Sequence, residues 1–215
     1  MRILFACTLI ALSASASAAP ALPSSLATTR FAGPFASMEA ACPGCGARDA
    51  IRKPPAPWLE VRVLMAGNLA RPLSPGNSVH HYLAVHLRSG WWTQEIGRNV
   101  DFEGAITTSS PRSPEARDVL PSVGAELTIE VRQTTQVPGE DGEAPSQTER
   151  RTLHICGVGP SGAPSCTAVE TYRFAGQASG SLDTPVSFNK AGEIVVAGKI
   201  EGLPAVPRRY RVDFP

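Results

Sequence analysis

Lysine is nearly missing from this chain. Of its 20 basic residues only Lys53, Lys190 and Lys199 are lysines, and the rest are arginine. Aromatic residues make up only 6% of the chain, and histidine occurs four times. Neither sign of charge is in excess, with 20 basic residues against 19 acidic ones. That balance excludes a nucleic-acid binder or a basic membrane-surface protein, both of which need a cationic face. Long apolar runs are also absent. The longest, Ile3 to Leu12, has ten residues, half of the roughly 20 that a membrane-spanning helix requires, so no membrane span is expected. Several catalytic signatures are missing too: no G-x-S-x-G, no P-loop, no H-E-x-x-H and no D-x-D-x-D-G calcium loop. The scarcity of lysine, together with the Ala and Pro content, points to a GC-rich bacterial genome.

What is present begins with a leader. Met1-Arg2 supplies a positive start, Ile3 to Leu12 an apolar stretch, and Ser13 to Ala18 a run of small residues. That order predicts a secretory signal peptide over 1–18, cut after Ala16-Ser17-Ala18. The mature chain would start at Ala19, and losing Arg2 would bring its formal charge to zero. A periplasmic or secreted location follows, and it is an oxidising one.

Residues 19–34 are rich in Ala, Pro, Ser and Thr without an apolar period, which reads as an extended linker. Ser37 to Cys42 reads as one helical turn, capped by Ser37 and stopped by Pro43-Gly44. Residues 52–57 (RKPPAP) read as a second stiff linker. The organisation expected is a leader over 1–18, a linker with a short helix and a C-P-G-C segment over 19–55, and a β-domain over 56–215.

From Trp58 onward the period is two. Leu59, Val61, Val63 and Met65 alternate with Trp58, Glu60, Arg62 and Leu64. Leu127, Ile129 and Val131 alternate with polar residues, as do Tyr210, Val212 and Phe214. Each run predicts a half-buried antiparallel strand. Further strands are expected near 79–88, 91–97, 100–107, 147–156, 166–175, 184–189 and 193–200. Turn residues at short intervals between them predict an all-β antiparallel sandwich, jelly-roll-like in form. Ser113 to Leu120 is the other helical candidate, with a cap, a proline at the first position and Pro121 at its end. Tight turns are expected at Arg88-Ser89-Gly90 and Asn189 to Gly192. A third hairpin joins 147–156 to 166–175. Setting Cys156 opposite Cys166 places Leu153 by Val169, Ile155 by Thr167, Thr152 by Glu170 and Arg150 by Tyr172.

Four cysteines remain after the leader: Cys42, Cys45, Cys156 and Cys166. An even count in an exported chain favours disulfides, and Cys42–Cys45 with Cys156–Cys166 is the most economical pairing. Cys42-Pro43-Gly44-Cys45-Gly46 also resembles the C-P-x-C-G knuckle of zinc ribbons and rubredoxins. The resemblance covers five residues and implies two thiolates aimed at a metal, or a redox dithiol. No second knuckle accompanies it, and no metal or other cofactor is expected.

His80 and His81 point to opposite faces of a strand, and His80 and His86 lie about 20 Å apart at ~3.3 Å per residue. They read as strand histidines, as does His154. Asp101 and Glu103 would project from one strand face, where a carboxylate pair can serve as acid and base. An alternating solvent-facing edge gives the same pattern. Trp91 and Trp92 face opposite ways, so one of them would lie on the outer face, where it packs against a neighbouring strand or loop, or stands exposed and stacks on a sugar ring beside His86, Thr93 or Glu95. The expected function is non-catalytic: binding a glycan, a small ligand or an envelope protein. The alternatives are a secreted hydrolase using Asp101 and Glu103, and a metal or redox site at Cys42 and Cys45.

Overall fold

The structure is a computed structural model and describes residues 24–67, 73, 77–118, 120, 124–139, 143–175, 186–189, 192–197 and 208–215. The leader and its cleavage site lie outside the described residues. In chain order the elements start with β1 (Ser24–Leu26), β2 (Thr29–Arg30), β3 (Ala32–Phe35), α1 (Met38–Ala41) and β4 (Gly46–Ile51). Next come β5 (Glu60–Ala66), β6 (Val79–Leu87), β7 (Gly90–Phe102), β8 (Ala105–Pro111) and β9 (Glu115–Arg117). The last are β10 (Glu126–Val137), β11 (Ser146–Val158), β12 (Pro164–Ala175), β13 (Val186–Phe188), β14 (Glu193–Val196) and β15 (Arg208–Val212).

These strands form an all-β sandwich of two sheets. An 11-stranded sheet runs β2-β12-β11-β10-β8-β7-β6-β5-β4, with β3 on β7 and β9 on β10, and a 4-stranded sheet runs β1-β15-β14-β13. Where jelly-roll-like crossings were expected, neighbours in the large sheet are mostly neighbours in sequence, a meander. Pairing is antiparallel except for β1 on β15.

The large sheet curls on itself. Leu83 and Val85 of β6 meet Leu127 and Ile129 of β10 and Cys156 of β11 in one buried cluster. The residues read as a linker complete the curl. β2 pairs with β12 through Thr29 and Arg30, and β3, which begins two residues after Arg30, pairs with β7 through Ala32 and Phe35. The Thr167 hydroxyl donates to the Ala27 carbonyl at 2.9 Å, and Phe31 is buried in the enclosed core. Thus 24–51 is not a free linker where it is described. Its strands are too short for an apolar alternation to show in the sequence.

The outer faces are covered as well. Ile155 and Val169 pack on Ile194, Val196 and Val212 of the small sheet. On the opposite side α1 and the Cys42–Cys45 segment cover Leu64, Ala84 and Trp91. The α1 turn forms as its cap predicts: the Ser37 hydroxyl accepts the Ala40 N–H at 3.1 Å, and Glu39 accepts the Gly44 N–H at 3.1 Å.

The hairpins at 88–90 and 189–192 are present, with Gly192 at φ 75°. The third hairpin pairs Cys156 with Cys166, Leu153 with Val169 and Thr152 with Glu170, as expected. Beyond that its register shifts. Arg151, not Arg150, faces Tyr172, because Thr171 is an extra residue in β12. Such a bulge adds one residue to one strand and moves every later pair by one. The Thr171 hydroxyl fixes it by donating to the Arg151 carbonyl at 3.2 Å.

Three other expectations are corrected. Ser113–Asp118, the continuous described part of that candidate, is not a helix. Glu115–Arg117 pairs as β9 with Glu126 to Thr128, and the Ser113 hydroxyl bonds Asp49 rather than capping a turn. The run 100–107 is not one strand, since β7 ends at Phe102 and a two-residue turn at Glu103-Gly104 leads into β8. Glu103 at φ 52° and Gly104 at φ 82° supply the two positive angles such a turn needs. The faces at the start of β5 are also reversed. Trp58, assigned to the water side, is buried, whereas Leu59 is 53% exposed, because the alternation begins only where β5 starts, at Glu60.

Among the described residues, no helix is long and apolar enough to cross a membrane.

Candidate functional site

The cysteines pair as the spacing suggested. Cys42 lies at disulfide distance from Cys45, with Cα atoms 5.6 Å apart, and Cys156 from Cys166, with Cα atoms 4.0 Å apart. Bonded to each other, the sulfurs of Cys42 and Cys45 offer no pair of thiolates. Among the described residues, no group of three or more His, Cys, Asp or Glu converges to hold a metal ion.

Asp101 and Glu103 do not share a strand face. Glu103 sits in the turn, and Asp101 Oδ1 accepts the Gly104 N–H at 3.1 Å, so the aspartate fixes that turn.

Of the two readings of the adjacent tryptophans, the first is seen: the outward ring packs on a neighbouring segment and does not stand exposed. Trp91 is 9% and Trp92 8% exposed. They do face opposite ways. Trp92 enters the enclosed core, while Trp91 is covered by α1 and β3. Its indole stacks on His86, centroids 4.8 Å apart.

His80 is half-buried between Ser78 and Glu95, at 2.8 and 3.2 Å. His81 is buried, and its Nε2 meets Asn99 Oδ1 at 3.2 Å. Burial holds the His81 pKa below the usual histidine range, with the Asn99 hydrogen bond opposing. His154 is held down to about 4, first by burial and then by the Arg150 charge.

One end of the curled sheet holds a cleft of about 660 Å³. Three loops form it, and each is tied down. The first carries Ala56 to Leu59. The Trp58 indole N–H donates to the Ala125 carbonyl at 2.6 Å. The Leu59 N–H reaches the His86 carbonyl at 2.9 Å, and the Ala125 N–H reaches the Ala56 carbonyl at 3.1 Å. The second is the β6–β7 turn, Arg88-Ser89, which follows Leu87. Gly90 closes it at φ 127°, where an added Cβ would lie 2.7 Å from the Phe35 carbonyl oxygen. The third is the β11–β12 loop, contributing Val158 and Gly162. The Gly162 N–H donates to the Gly159 carbonyl at 3.0 Å, and the Cys156–Cys166 pair lies just behind. A volume of this size, apolar walls and a place at the mouth of a curled sheet are the usual attributes of a small-molecule site.

Sequence reasoning placed Leu59 in a core and Arg88 in a turn but did not join them. The cleft residues come from loops dozens of positions apart. A large apolar side chain beside Pro57 at a strand start was the sole local signal.

No family model matches the chain, and no curated protein or solved structure was found to match it.

Proposed function

We propose that this chain is an exported, non-catalytic binding domain that takes a small, largely apolar molecule into the cleft between residues 56–59, 87–89 and 158–162. The observation that carries this reading is the exposed Leu59, which walls a cleft of about 660 Å³ together with Pro57, Trp58, Leu87 and Val158. Burying a ligand against such a wall contributes roughly 25 cal/mol per Å² of apolar surface removed from water. The tied loops leave little ordering entropy to be lost on binding. Two cysteine pairs at disulfide distance suit an oxidising compartment, in keeping with export. A glycan site on Trp91 and Trp92 has less support, since neither ring offers a free face.

Titration with 1-octanol, followed by tryptophan emission, tests the reading. Trp58 lines the cleft and reports occupancy. Saturable binding is expected, weakened at least about tenfold in Leu59→Asp, because the added carboxylate would have to be desolvated. Binding that does not saturate, or that is equal in the variant, would overturn it.

A further inference from the structure

The cleft is apolar except at the β6–β7 turn. Arg88 and Ser89 are the polar side chains among its lining residues, and no Asp or Glu lines it. Ser89 Oγ already accepts the Trp92 indole N–H at 3.2 Å, so its own proton remains to be donated. Three neighbouring main-chain donors are spent: the Trp58 N–H on the Pro55 carbonyl at 3.1 Å, the Leu59 N–H on the His86 carbonyl and the Gly162 N–H on the Gly159 carbonyl.

Many arginines of the large sheet are ion-paired. Arg62 pairs with Glu60, Arg98 with Glu95, Arg132 with Glu149 and Arg150 with Glu170. Among the described residues Arg88 has no carboxylate partner. Arg30, Arg48 and Arg52 also lack one among the described residues, but of these guanidinium groups only that of Arg88 lines the apolar cleft. A planar guanidinium fork matches two oxygens of a carboxylate at once.

We infer that the ligand is an amphipathic carboxylate, with its apolar body against Leu59, Leu87 and Val158 and its carboxylate on the Arg88 guanidinium and the Ser89 hydroxyl. This inference rests on the cleft being the binding site and adds the chemistry of the ligand's polar end. A neutral alcohol of the same length would leave the guanidinium with one weak acceptor. A primary amine would meet like charge.

Octanoate and 1-octanol, titrated in parallel into the full chain and into Arg88→Gln, separate the two claims. Octanoate is expected to bind about tenfold or more tighter than 1-octanol, the worth of a charge-assisted hydrogen-bonded pair. Arg88→Gln is expected to abolish that preference, lowering octanoate affinity about tenfold and 1-octanol affinity by a smaller factor. Raising the ionic strength should narrow the preference in the native chain alone. Equal affinities for the two probes in the native chain, or a preference that survives in Arg88→Gln, would overturn the carboxylate inference and leave the apolar site standing. Failure of both probes to bind would overturn the site itself, and the inference with it.

Discussion

The imidazole of His86 lies flat on the indole of Trp91, their planes 7° from parallel. Phe35, Met38, Ala41 and Cys42 pack in the same cluster as the indole, so a short helix and a disulfide-bonded turn rest on the outer face of the sheet against this ring, Leu64 and Ala84. Replacing Trp91 with Ala is expected to cost about 3–5 kcal/mol, the usual loss for a buried large aromatic. Urea unfolding measures it. A loss of a few tenths of a kcal/mol would show that this cap is not seated as described.

The two cysteine pairs should differ in worth. Cys156–Cys166 closes a loop of sequence separation 10, and Cys42–Cys45 one of 3. Chain-entropy arguments give about 3 kcal/mol for the larger loop and about 2 for the smaller. Replacing Cys156 and Cys166 together with Ala should lower the denaturation midpoint more than the same change at Cys42 and Cys45. The reverse order would place the stabilisation in packing rather than in loop closure.

Glu149 is the buried member of a charge triad. Its Oε2 accepts from Arg132 Nη2 at 2.7 Å and its Oε1 from Arg151 Nε at 2.8 Å. The Glu149 side chain is 6% exposed, against 52% for Arg132. Arg151 also lies over the Tyr172 ring, 5.0 Å from its centroid. Glu149→Ala removes the acceptor shared by Arg132 and the partly buried Arg151 and should cost about 1.5–3 kcal/mol. Arg132→Ala removes an exposed partner and should cost under about 1 kcal/mol. Thermal or urea unfolding of both variants checks the contrast, and equal losses would contradict it.

Acid should loosen the fold through two histidines. His81 and His154 both have pKa values lowered by burial from 6.5, His154 to about 4. The unfolded chain therefore takes up protons first as pH falls. Stability is full above about pH 6.5 and declines from there towards pH 4. Urea midpoints measured between pH 7.5 and 4 should trace that decline, and His154→Gln should flatten it. A midpoint constant down to pH 5 would disprove the linkage.

Alternation made much of this fold legible. Val61 and Val63, Leu127 and Ile129, and the Cys156–Cys166 register all follow from a period of two. Reading failed where pairing depended on something local and unpatterned. Thr171 enters as a bulge without interrupting the run of strand-forming residues, so Arg150 was matched to the wrong partner. Glu103-Gly104 is a positive-φ turn without the Asn or Asp that advertises one. Ser113-Pro114 carries the marks of a helix start, but a helix of eight residues has few hydrogen bonds to set against the ladder that Glu115–Arg117 gains on β10. The candidate site was the least legible part. Leu59, Arg88 and Val158 acquire a shared purpose only when the sheet curls.

The Thr167–Ala27 hydrogen bond spans 140 positions, and its consequence is a matter of order in time. Thr29–Phe35 is made before its partner strand β7, yet its partners on β12 come after most of the other strands. The edges it stitches cannot be joined until the chain has been extended past Cys166. Hairpins such as β6–β7 and β11–β12 bring near neighbours together and can form without waiting. The closing segment carries the longest loop, and such non-local pairings slow folding. Until they form, two strand edges stand open to any other chain nearby. The interval between synthesis of the first strands and their docking is thus the period in which this protein is most exposed to aggregation.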